Sequence, residues 1–115
     1  MALPAGRSHL NRVYSRYKKG ARHRGIEFNL TLDDVRNLVI QRCFYCGATP
    51  KVPKVWHNVR HTIPMNGIDR VDSSLGYFVG NCVPCCTRCN YFKRGKKVED
   101  FLNSITEIYE WMAKP

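Results

Sequence analysis

Asn66-Gly67-Ile68-Asp69-Arg70-Val71-Asp72, then Gly76-Tyr77, then Gly80-Asn81-Cys82-Val83-Pro84-Cys85-Cys86-Thr87-Arg88-Cys89-Asn90, and after them Lys93, form the stretch on which the fold turns. It holds two adjacent Cys-x-x-Cys frames, and a third stands upstream as Cys43-Phe44-Tyr45-Cys46, followed by Gly47. Zinc takes four soft or borderline donors in a tetrahedron. A Cys-x-x-Cys in a tight turn supplies one edge of that tetrahedron, and two such turns complete it. The spacing therefore predicts one structural Zn²⁺ on Cys43, Cys46, Cys86 and Cys89. The Cys86/Cys89 frame is preferred because Asn90 and a basic helix follow it. Cys82 and Cys85 then read as small buried hydrophobes. The alternative is that all six cysteines are core thiols. The 39 residues between Cys46 and Cys86 exceed a simple ribbon loop and must fold as something, and a hairpin fits.

Upstream, Leu10, Val13, Tyr14, Tyr17 and Ala21 keep helical spacing on one face, with a basic opposite face. Gly25 is placed to end that helix. Tyr14 and Tyr17 read as core rather than as a base-stacking platform. Ile26 to Leu30 alternates and predicts a short extended segment. Thr31 is a good N-cap, and Asp33 and Asp34 suit the first turn of a second helix ending near Arg42. Pro50 and Pro53 make residues 47–60 a loop. Asn66-Gly67 between apolar residues predicts a hairpin turn that would set Ile63 opposite Ile68 and His61 opposite Arg70. A strand is expected over Tyr77–Val83, a helix from the second cysteine pair to about Arg94, and a final helix through Val98, Phe101, Leu102, Ile105, Ile108, Tyr109 and Met112.

Charge points to the partner. The chain has 115 residues with 19 Lys and Arg against 9 Asp and Glu, a net charge of +10, and a pI near 9.6. That balance favours a polyanion, and nucleic acid is preferred to a membrane surface. Residues 7–24 and the cluster Lys93, Arg94, Lys96, Lys97 hold 11 of the 19 cations. Arg22, Arg24, Lys93, Arg94, Lys96 and Lys97 are the expected phosphate contacts. No apolar run approaches the roughly 20 residues that cross a bilayer. The start, Met-Ala-Leu-Pro-Ala-Gly-Arg, has no signal-peptide stretch, so a cytoplasmic location with reduced cysteines is expected. Length and composition predict a single small domain stapled by a metal.

The cysteine pairs, the Asp-containing segment, Gly76-Tyr77, Asn81 and Cys-x-x-Cys-Asn ahead of Lys93 together resemble the HNH endonuclease family, especially its small phage-type and homing-type members. Arg24-Gly25-Ile26-Glu27-Phe28-Asn29-Leu30-Thr31 is similar to the lead-in of such proteins. The resemblance covers roughly residues 12–102 of the 115. It implies an α+β fold: a small zinc-stabilised ββα-metal domain with flanking N-terminal and C-terminal helices. It divides 1–115 into a basic helix and lead-in (1–30), a zinc and ββα-metal core (43–97) and a terminal helix (98–115). It further implies a metal-dependent endonuclease acting on double-stranded DNA, phage-encoded and working in a host cell. Asp69 and Asn90 would bind a catalytic Mg²⁺ or Mn²⁺, a hard cation suited to oxygen donors. Asn81 would orient a loop.

Many family members have His where this chain has Arg70, and that His is the general base. Arg stays protonated and cannot take a proton from water. Three ways out are open. Another residue supplies the base, with His61 ahead of Asp72; the metal acts alone; or the domain is not a nuclease. His9, His23 and His57 have no supporting constellation in the sequence. Arg70 itself would either stabilise phosphate charge or pair with Asp69 or Asp72. The competing functions are a catalytically silent zinc-stabilised nucleic-acid-binding module and a structural zinc protein of a larger nucleoprotein assembly.

Overall fold

The computed structural model describes residues 7–52 and 63–115. Helix α1 (Arg7–His23) buries Leu10, Val13 and Ala21 and exposes most of its cations. It closes with a two-bond C-terminal motif, in which Ile26 N donates to Ala21 O at 2.8 Å and Gly25 N to Arg22 O at 3.1 Å. Gly25 takes φ +69°, which this motif requires and a side chain would resist. Helix α2 (Leu32–Val39) opens with a capping box: Asp34 N donates to Thr31 Oγ1 at 3.1 Å and Thr31 N to Asp34 Oδ2 at 2.9 Å. Val35 and Val39 face inward and are fully buried.

The extended segment after α1 bridges Phe28 to Tyr77 in parallel, with Tyr77 N donating to Glu27 O at 2.8 Å and Asn29 N to Tyr77 O at 2.7 Å. Leu10, Val13, Ala21, Leu30, Val35, Val39, Ile68, Tyr77 and Cys82 make the main core. Tyr14 and Tyr17 pack against it, as their helical phase predicts.

Strand β1 (Gly67–Arg70) pairs antiparallel with β2 (Cys82–Cys85), placing Ile68 opposite Pro84, Asp69 opposite Val83 and Arg70 opposite Cys82. This replaces the expected hairpin across Pro64–Gly67. Asn66 is not free to turn: its backbone N donates to Val39 O at 2.7 Å, and its side-chain amide to Gln41 O at 2.9 Å and Ala48 O at 3.1 Å. Gly67 lacks the positive φ that a tight hairpin turn demands. His61 lies outside the described residues, as does His57. The strand expected over Tyr77–Val83 starts later, because a 3₁₀ turn at Val79–Asn81 precedes β2.

Helix α3 (Thr87–Lys93) is capped by Cys86 and ends at Arg94, which adopts φ 47°, followed by Gly95 at φ +76°. Helix α4 (Val98–Met112) carries Glu99 and Asp100 in its first turn. Of its apolar stripe only Phe101 is buried; Leu102, Ile105, Ile108, Tyr109 and Met112 are exposed.

Candidate active site and zinc centre

The first cysteine turn is closed by Gly47 N donating to Cys43 O and Cys43 N to Ala48 O, both at 2.9 Å, with Gly47 at φ +76°. Phe44 N donates to Pro84 O at 2.8 Å, tying this turn to β2. In the second turn Cys89 N donates to Cys86 Sγ at 3.4 Å and Asn90 N to Cys86 O at 3.0 Å. The Sγ atoms of Cys43, Cys46, Cys86 and Cys89 all lie within 4.8 Å of one another, with Cys46 and Cys86 at 3.6 Å. A tetrahedron with Zn–S arms of about 2.3 Å has edges of about 3.8 Å, so the donor set fits zinc. The Ala48 N–H, ahead of neighbouring thiols and Arg88, holds the Cys46 thiol down to about 6, favouring the metal-binding thiolate. Burial instead pushes Cys82 up to about 11. Cys82 belongs to the main core, and Cys85 is buried beside Cys43 and Cys89. Geometry thus selects the Cys86/Cys89 frame.

A cavity of about 660 Å³ is lined by Asp69, Arg70 and Asn90, and from α1 and its end by His9, Arg16 and Arg24. Asp69 is 8 % exposed. Its Oδ2 accepts from Tyr45 Oη at 2.7 Å and from Lys93 Nζ at 3.1 Å. Both contacts fall on one oxygen, so Oδ1 is the oxygen left to a ligand. Lys93 also donates to Arg70 O at 3.1 Å and is 0 % exposed. Its expected place among the phosphate contacts therefore does not match its position: it faces inward, at the third residue after Asn90, and neutralises Asp69.

Tyr45 sits between Cys43 and Cys46, with its ring edge-on to Phe44 at 5.2 Å and to Phe101 at 5.5 Å. Burial and the hydrogen bond to Asp69 push its hydroxyl well above the usual tyrosine value, so it remains a donor.

Arg70 makes neither of the expected ion pairs. Its Nη1 donates to Ser73 O and Leu75 O, each at 2.8 Å, and its guanidinium lies 5.3 Å from the Tyr77 ring centre. It clamps the loop after β1. Asn81 holds the same loop from within: Asp72 N donates to its Oδ1 at 2.9 Å, and its Nδ2 donates to Asp72 O at 3.0 Å and Gly76 O at 2.9 Å. Asp72 accepts from Ser74 N at 2.9 Å and Ser74 Oγ at 2.6 Å, which lowers its pKa; it caps this turn.

His9 shows no constellation in sequence, yet the fold lodges it in the cavity wall, 1 % exposed. Burial, then the charges of Arg12 and Arg16, lowers its pKa, so the ring is neutral. Ile63 N donates to its Nδ1 at 3.3 Å, which puts the proton on Nε2. Arg22, Arg94, Lys96 and Lys97 are exposed, Arg94 stacking 4.2 Å from the Tyr91 ring centre. Arg24 donates to Tyr77 Oη at 3.3 Å at the cavity rim.

No family model matches the sequence. An uncharacterised protein of Acanthamoeba polyphaga mimivirus is 39 % identical over 89 residues, 77 % of this chain but 15 % of its own length. Among solved structures, the rare-cutting HNH restriction endonuclease PacI superimposes with a TM-score of 0.61 at 20 % identity, covering 92 % of this chain and 82 % of its own. No described helix is long and apolar enough to cross a membrane. With its two-stranded sheet backed by α3 and its four-cysteine cluster, the chain has the fold of an HNH endonuclease.

Proposed function

We propose that the chain is a metal-dependent DNA endonuclease of the HNH type, carrying a structural zinc on Cys43, Cys46, Cys86 and Cys89. The observation that carries this reading is the convergence of Asp69 and Asn90 on one cavity rimmed by Arg16 and Arg24. A carboxylate and an amide oxygen suit Mg²⁺ or Mn²⁺. When bound, such a cation would neutralise charge developing on the phosphate and activate water. Asp69 Oδ1 and Asn90 would hold it. Arg16, Arg22, Arg24, Arg94, Lys96 and Lys97 would track the DNA backbone. Asn81 and Arg70 keep the loop after β1 in place, and the unused edge of the Arg70 guanidinium would meet a phosphate oxygen. His61, which lies outside the described residues, is proposed as the general base; His9 is less suited, because its Nδ1 accepts from Ile63 N. The likeness in fold to PacI supports a DNA-processing role.

A second reading is a silent nucleic-acid-binding module on the same fold. It is favoured by the ion pair that sets the Lys93 ammonium on Asp69. Supercoiled plasmid incubated with the zinc-loaded protein and Mg²⁺ or Mn²⁺ separates the two. Nicking that is lost in Asp69→Asn supports the nuclease. Salt-sensitive binding with no cleavage supports the module.

A further inference from the structure

We infer that Tyr45 is a positioning residue for Asp69, through which the zinc centre governs the affinity of the cavity for a divalent cation; this rests on the reading of Asp69 as a ligand. Tyr45 stands inside the first zinc turn, between Cys43 and Cys46. That turn is fixed to β2 by Phe44 N donating to Pro84 O at 2.8 Å, and β2 is paired to β1, which carries Asp69. From there the Tyr45 hydroxyl reaches Asp69 Oδ2 at 2.7 Å, the shorter of the two contacts on that oxygen. The ring cannot swing away easily, because Phe44 and Phe101 meet it edge-on at 87° and 89°. A hydroxyl donor on one oxygen fixes the carboxylate plane and presents the other oxygen to the cavity. Lys93 contacts the same Oδ2 and supplies charge, but its long stem fixes direction less well than a wedged ring. Zinc on Cys43 and Cys46 would fix the turn that carries Tyr45, and with it the bond that orients Asp69.

Hydrogen-bond partners of metal ligands typically account for about 10–100-fold in metal affinity. Tyr45→Phe keeps the ring and removes only the hydroxyl. Mn²⁺ binding to the zinc-loaded protein, read by electron paramagnetic resonance of the free ion, should weaken at least about 10-fold in Tyr45→Phe, with zinc content unchanged. The cleavage rate at saturating Mn²⁺ should recover towards wild type, since orientation rather than chemistry is lost. In the intact protein with ¹³C-labelled tyrosine, Mg²⁺ should shift the Tyr45 Cζ resonance. That second measurement needs no altered protein. Unchanged Mn²⁺ affinity in Tyr45→Phe, with affinity lost in Asp69→Asn, would overturn the role of Tyr45 alone. Unchanged affinity in Asp69→Asn would overturn both this inference and the assignment of Asp69.

Discussion

Removing the Asp69 carboxylate should cost far more stability than removing its cationic partner. Lys93 is 0 % exposed and has two contacts, Asp69 Oδ2 and Arg70 O, both at 3.1 Å. In Asp69→Ala the ammonium stays buried against one neutral carbonyl. Breaking a buried pair in this way costs about 3–5 kcal/mol. Lys93→Met instead leaves a carboxylate that still accepts from Tyr45 Oη at 2.7 Å and borders the cavity. Its cost should be nearer about 1–3 kcal/mol, the penalty for a partly compensated polar group. At roughly 4 °C or more per kcal/mol for a domain of this size, Asp69→Ala should melt about 12 °C or more below wild type. The double replacement Asp69→Leu with Lys93→Met should regain more than half of that loss, because no charge is left buried. Circular dichroism melts of the zinc-loaded proteins read all three. A melt of Asp69→Ala within about 3 °C of wild type would refute the buried pair. So would a Lys93→Met variant less stable than Asp69→Ala.

Further outcomes follow from other contacts. Ser at Cys43, Cys46, Cys86 or Cys89 should release zinc and unfold the domain, whereas Ser at Cys82 should keep one zinc per chain by metal analysis. The folded-state pKa of His9 lies below its ordinary 6.5, so the unfolded chain binds the extra proton and stability falls as pH drops below 6.5. Urea midpoints at two pH values should show that this fall is smaller in His9→Gln. Gly76→Ala would set a Cβ 2.6 Å from Glu27 O, so it should break the Phe28–Tyr77 bridge and lower the melting temperature. His61→Ala should slow cleavage at least about 100-fold if His61 is the base, and single-turnover rates measure it.

Much of this was legible because the signals are local. The helical stripe of α1, the Thr31 N-cap and the Gly25 terminus each depend on residues within one or two turns. The Cys86/Cys89 frame was legible because Asn90 and a basic helix follow it in the chain. The β1–β2 pairing was not, because Asn66-Gly67 carries a strong turn signal that distant acceptors, Val39 O, Gln41 O and Ala48 O, override. Lys93 reads as an exposed cation on a basic helix. Only the tertiary approach of Asp69 makes its burial tolerable. His9 enters the cavity wall from 60 residues before Asp69, beyond any spacing rule. The α4 stripe has clear periodicity, yet burial at Phe101 alone shows that periodicity states a face and not what covers it.

Cleavage of supercoiled plasmid by the zinc-loaded protein is the most direct measurement, run with Mg²⁺ or Mn²⁺ beside Asp69→Asn and Asn90→Ala. Nicked or linear product from wild type, and none from either variant at equal zinc content, is the expected result. Intact plasmid with wild type under both metals, or equal cleavage by Asp69→Asn, would contradict the assignment of the cavity as a nuclease site.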